Sequence, residues 1–199
     1  MILSKNISKS TGSVFSGKNL IAHGAIVVRN EGLSALSLGN TLKATMSFEK
    51  ERDYQRCRAR IEALCEGSDD QIAKMASIVG VLHNEMNDFF WTGFYRVVEG
   101  RLVIGPYQGT VGCLSIEIGK GVCGKAAARG KAQVVEDVHD FPGHIACDER
   151  SKSEIVVPVT DESGALIAIL DVDSLEKGAF DEIDRECLEG IVAHILGGR

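Results

Sequence analysis

Residues 154–173, EIVVPVTDESGALIAILDVD, decide the fold. Two apolar runs, Glu154 to Thr160 and Leu166 to Asp173, flank the polar cluster Asp161, Glu162, Ser163 and Gly164. Runs this short, rich in Val and Ile and split by turn residues, predict a β-hairpin rather than a helix. A second hairpin stands upstream, Trp91 to Val98 and Arg101 to Tyr107 across the Glu99-Gly100 turn. Leu114 to Ile118 and Ala132 to Glu136 add a strand each. Between them, GKGVCGKAAARGK (residues 119–131) predicts a short helix, Val122 to Arg129, closed by Gly130.

Further out the apolar period changes from two to that of a helix. Tyr54, Cys57, Ile61, Leu64 and Cys65 form one face of a first helix, which takes over from Ser47. Gly67, Ser68 and Asp69 end it and cap a second, with Ile72, Met75, Val79, Leu82, Met86 and Phe89 as its stripe. Asp181 caps a last helix that buries Ile183, Cys187, Ile191 and Ile195. The short connections predict an α/β (α+β) fold: a single domain, its central antiparallel sheet of about six strands, with helices packed mainly on one side.

The chain has 199 residues and a net charge of −6. That length fits one domain with an extension, and a domain of about 150 residues needs no disulfide or metal to fold. The acidic balance speaks against nucleic acid and anionic lipid as partners. No apolar run reaches the roughly 20 residues of a membrane span, and no secretory signal is visible. From Met1 to Asn30 there is no acid, while Lys5, Lys9, Lys18 and Arg29 are basic. Residues 1–45 therefore read as an extension, poorly ordered or a mitochondrial-type presequence, ahead of the main domain at 46–199. The expected location is the cytoplasm, or the mitochondrion if that segment is a presequence.

Six cysteines without a secretory signal read as thiols of a reducing compartment. Cys57, Cys65 and Cys187 sit on apolar helix faces, where cysteine behaves as a small hydrophobe. Cys113, Cys123 and Cys147 fall instead at loop or turn positions, where an accessible thiolate is reactive. Zinc fits them poorly even with His144 added, since nine and twenty-three residues lie between them and no pair has the usual close spacing. No metal and no bound cofactor is expected.

Asp171 and Asp173, two apart on one strand, face the same side of the sheet, and Glu154 begins the neighbouring strand. Two readings stand open. Either this is a strand end reaching solvent, paired with Arg150 or Lys152, or it is a pocket for a small cation or a proton donor beside a thiol. Trp91 and Tyr95 share a strand face and serve as core or as an apolar ligand wall. The glycine turn at Gly119, Gly121 and Gly124 opens a helix whose first amides suit an anion, but it lacks the ending of a phosphate loop.

The glycine turn before a short helix, then VVEDV, then IVVPV and LIAILDVDS, resembles the GAF domain family. WTGFY (91–95), GPYQGTVGC (105–113), GKGVCG (119–124) and GHIACDERSKSEIVVP (143–158) narrow this to the free methionine-(R)-sulfoxide reductases. The resemblance covers about residues 68 to 196. It implies Cys147 as nucleophile, Cys113 as resolving thiol and Cys123 as an additional or alternative one. It also implies Glu154, Asp171 and Asp173 as the carboxylates holding the substrate, with Trp91 and Tyr95 flanking its side chain. The substrate would be free methionine sulfoxide, and a thioredoxin or similar dithiol protein would recycle the disulfide. A homodimer is left open. The rival class is a non-catalytic GAF module that binds a ligand or senses redox state.

Overall fold

The computed structural model describes residues 21–22, 25–26 and 35–197. The chain divides into two compact units, residues 1–42 and 43–199. In the first, two short strands, β1 (Ile21–Ala22) and β2 (Ala25–Ile26), pair antiparallel. The presequence expectation for the remaining early residues lies outside the described part of the chain. Helix α1 (Ala35–Cys65) begins well before Ser47, where the apolar period first becomes legible. No helix among the described residues is long and apolar enough to cross a membrane.

The second unit is built on one six-stranded antiparallel sheet. Its strands are β3 (Trp91–Val98), β4 (Arg101–Gln108), β5 (Ser115–Glu117), β6 (Gln133–Val135), β7 (Ser153–Thr160) and β8 (Leu166–Ser174), in the order β5-β4-β3-β8-β7-β6. Alternation along each strand sends successive side chains to opposite faces. Phe94, Ile155, Val157, Leu170 and Val172 point one way, onto α1, α2 (Gln71–Glu85) and α4 (Glu182–Ile195), and form the larger core with Ile61, Ile78, Leu82, Leu188 and Ile191. Trp91, Tyr95, Val156 and Ile169 point the other way, toward the short helix α3 (Gly121–Arg129) with Val122, Cys123 and Ala126. Three helices therefore cover one face, while α3 covers part of the second.

Several helix expectations need correction at their ends. Leu64 and Ile72 are exposed, because each lies near a helix terminus where the face turns past the sheet. Asp70, not Asp69, caps α2, accepting from the amides of Ile72 and Ala73. That helix stops at Glu85, and Phe89 reaches the core from the connection instead. In α4 the buried side chains are Asp184, Leu188, Ile191, Val192 and Ile195, so Ile183 and Cys187 are only half-buried, with Cys187 packed at the edge of the core.

A polar cluster fixes that turn. Asp184, 2% exposed, accepts from the Tyr54 hydroxyl at 2.7 Å and from Lys50 Nζ at 2.6 Å, and completes a capping box with Asp181. Tyr54 and Lys50 belong to α1, so the cluster ties the first helix to the last. Asp184→Asn removes the charge that both Lys50 and the Asp181 amide rely on. It is expected to lower the unfolding free energy by about 2–3 kcal/mol, seen as an earlier urea midpoint at unchanged slope.

Candidate functional site

Sheet register brings the acids and the aromatics together. Glu154 lies opposite Asp173, Asp173 opposite Trp91, and Asp171 opposite Gly93, so one row crosses three adjacent strands on the α3 face. Gly93 is required here: a Cβ at this position would stand 2.4 Å from the Trp91 ring and 2.5 Å from Tyr107 Cβ. Without that methyl, the Trp91 indole folds over its own strand. It stacks between Tyr95 and Tyr107, with centroids 6.0 and 5.5 Å away.

Gly124, in the first turn of α3, serves packing. A Cβ on Gly124 would meet the Glu117 carbonyl oxygen at 2.3 Å, so glycine lets the helix press against the end of β5. Lys120, the cap residue, gives no side-chain hydrogen bond to the first turn, and Lys120, Gly121, Val122 and Cys123 all line the cavity beside the acids. The open amides of that turn suit a carboxylate.

Cys113 and Cys147 are joined as a disulfide with Cα atoms 5.4 Å apart. Cys147 is exposed and Cys113 half-buried, so the bond is open to a reductant. The Tyr95 hydroxyl stands 4.0 Å from Cys147 Sγ. Cys147 borders two small cavities. One, about 30 Å³, is lined with His144, Glu154, Asp171 and Asp173; the other, about 20 Å³, is lined with Trp91, Tyr95 and Val111.

Cys123 departs from its sequence reading. It lies in the first turn of α3, 5% exposed, and donates to Glu154 Oε1 at 3.4 Å. Burial, with Asp171 and Glu154 beside it, raises the thiol well above its ordinary range. It is therefore a protonated, enclosed thiol rather than an accessible thiolate.

The strand-end account of the acids also fails. Arg150 pairs with Asp148 rather than with Asp171 or Asp173. Loss of solvent, then mutual repulsion, raises Glu154 and Asp173 well above the carboxylate range. Burial raises Asp171 to about 7, its rise limited by the Cys123 and Glu154 groups beside it. Asp171 Oδ1 is buried without a hydrogen-bond partner. Nε2 of His144 is 3.8 Å from Glu154 Oε2, and burial lowers the imidazole, which leaves it neutral.

All eight residues singled out from the sequence thus meet within one site. Sequence reasoning missed the groups that hold its loops. Trp91 Nε1 donates to the Thr110 carbonyl at 2.9 Å, and Thr110 Oγ1 donates to Asp148 Oδ2 at 2.7 Å. Arg150 grips Asp148 through two nitrogens and lies over the Phe90 ring. Arg150 and Thr110 hold the Asp148 carboxyl well below the usual range. This latch joins the Cys113 loop to the Cys147 loop. The neighbouring Asp148 and Arg150 were a visible local signal, whereas nothing near Thr110 marks it in the sequence.

The family model for the GAF domain matches residues 75–196. Protein YtsP of Bacillus subtilis is 46% identical over 144 residues, spanning 71% of this chain and 88% of that protein. The free methionine-R-sulfoxide reductase of Escherichia coli is 40% identical over 148 residues, spanning 74% and 89%. A solved structure of the free methionine-R-sulfoxide reductase from Neisseria meningitidis in complex with its substrate superposes with a TM-score of 0.69 at 39% identity, over 71% of this chain and 85% of that one.

Proposed function

The chain belongs to the GAF domain family, and from its site we propose that it reduces free methionine-(R)-sulfoxide to methionine. The observation that carries this reading is the meeting of a redox-capable cysteine pair, its Cys147 exposed, with the buried carboxyls of Glu154 and Asp171, the half-buried Asp173 and an aromatic wall. The catalytic domain is assigned to residues 46–199, with 1–45 outside it.

Cys147 as thiolate attacks the sulfoxide sulfur, held against Trp91 and Tyr95. Glu154, or Asp173, gives its proton to the sulfoxide oxygen. Their raised affinity for protons supports that task. The oxygen passes to Cys147: the cysteine sulfur is oxidised by two electrons to a sulfenic acid, and methionine leaves reduced by two. Cys113 attacks the sulfenic sulfur, water departs, and the disulfide forms. The Cys113–Cys147 bond favours Cys113 over Cys123 as resolving thiol, and the burial of Cys123 argues the same way. A thioredoxin-type dithiol then reduces the bond by exchange, becoming the disulfide itself. No bound cofactor enters these steps.

The α-ammonium of a free amino acid answers the unpartnered Asp171 Oδ1 and its neighbours. A methionine sulfoxide residue inside a peptide has an amide there, which leaves the acids enclosed without a counter-charge. The α-carboxylate goes to the first turn of α3. Blocking the ammonium by N-acetylation is expected to lower kcat/KM on the order of 100-fold, measured by coupled turnover of both substrates side by side. Equal rates on the free and the acetylated forms would remove the reason for the acid cluster.

A further inference from the structure

Beneath the nucleophile's loop, donors of different chemistry converge. Cys123 Sγ, a carboxyl oxygen of Glu154 and one of Asp171 all lie within 4.8 Å of one another. All three side chains are buried, yet all line the cavity that opens beside His144 and Ile145. The imidazole of His144 stands 3.8 Å from the second Glu154 oxygen. Asp171 Oδ1, on a residue 94% buried by its 6% exposure, has no hydrogen-bond partner and belongs to the same cavity. Among the described residues no Lys or Arg forms an ion pair with Glu154, Asp171 or Asp173.

A thiolate, an imidazole and two carboxylates make up a ligand set for a borderline-soft divalent ion. Calcium and magnesium, which prefer oxygen alone, match it poorly. Ligands at about 2.0–2.3 Å from one centre lie roughly 3.3–3.8 Å apart, so the three donors of Cys123, Glu154 and Asp171, already within 4.8 Å, need small rotamer adjustments to close on an ion, while His144, outside that group, must swing in from beside Glu154. We propose that Cys123, Glu154 and Asp171, with His144 as fourth donor, form a zinc-class cation site at the floor of the substrate pocket. Its occupant is an inhibitor rather than a cofactor: it takes the carboxylates that the substrate's ammonium would use, so metal and substrate exclude one another. The site needs neither turnover nor Cys147 and stands apart from the reductase reading; only the exclusion of substrate rests on it.

The oxidised protein is the proper subject of the test, since its Cys113–Cys147 disulfide removes those two sulfurs as competing ligands. Zinc is titrated against a chromophoric chelator, and cobalt(II) serves as an optical probe of sulfur ligation. The expected result is one zinc per chain at micromolar or tighter affinity, with a thiolate-to-cobalt charge-transfer band in the untouched protein. Asp171→Asn and Cys123→Ser should each weaken zinc at least about tenfold, the latter abolishing the band, while Cys187→Ala changes neither. A cobalt complex of the wild-type chain without that band overturns the proposal whatever the variants do. So does zinc affinity that survives loss of the Cys123 thiol, or that falls with Cys187.

Discussion

Cys147→Ser is expected to reduce methionine sulfoxide turnover by at least about 10⁴-fold while leaving substrate binding intact. A serine hydroxyl has neither the acidity nor the polarisable sulfur needed to accept the oxygen. The two other cysteines of the site separate in the same assay. Cys113→Ser should release a single methionine per chain and leave a sulfenic acid that dimedone traps. Cys123→Ser should go on cycling, because the buried thiol takes no part in the disulfide. If instead Cys123→Ser stopped after one turnover and Cys113→Ser did not, the resolving role would pass to Cys123.

Glu154→Gln has the second largest expected effect, a fall in kcat of about 10³-fold with a modest change in KM. Its side chain keeps its shape and loses only the transferable proton. The pH profile gives the sign. Glu154 is raised well above the carboxylate range by burial and by Asp171 and Asp173, so the acid form persists to higher pH than in an exposed carboxyl. Activity that depends on this proton is present below the raised value and lost as pH climbs through it. The alkaline limb of kcat should therefore flatten in the variant. Asp173→Asn is the comparison: if it, rather than Glu154→Gln, removes the alkaline limb, Asp173 is the acid.

The hairpins are legible because short Val- and Ile-rich runs are split by turn residues, and the period of two along a strand places Asp171 and Asp173 on one face, as the register shows. The face covered by α3 was not legible. Periodicity tells that a helix has an apolar side but not which side of the sheet receives it, and so the sequence suggests an accessible Cys123, which α3 in fact buries against the sheet. The turn of α4 escaped for a related reason. Ile183, Cys187, Leu188, Ile191, Val192 and Ile195 support two overlapping stripes, and the choice between them falls to Asp184, which goes inward to meet Tyr54 and Lys50. A polar residue chose the face. The Thr110–Asp148 latch depends on two loops meeting across 38 positions, which no local pattern encodes. The cysteine roles were available through resemblance alone; spacing gave three candidates and no order among them.

The most direct test of the proposed chemistry is consumption of the separated R and S epimers of free methionine sulfoxide by the reduced wild-type chain, with thioredoxin supplying electrons. The expected result is methionine formed from the R epimer over many turnovers, with the S epimer left untouched. No turnover of either epimer, with the Cys113 and Cys147 thiols shown to be reduced, would contradict the reductase assignment and leave a GAF module that binds a ligand or senses redox state.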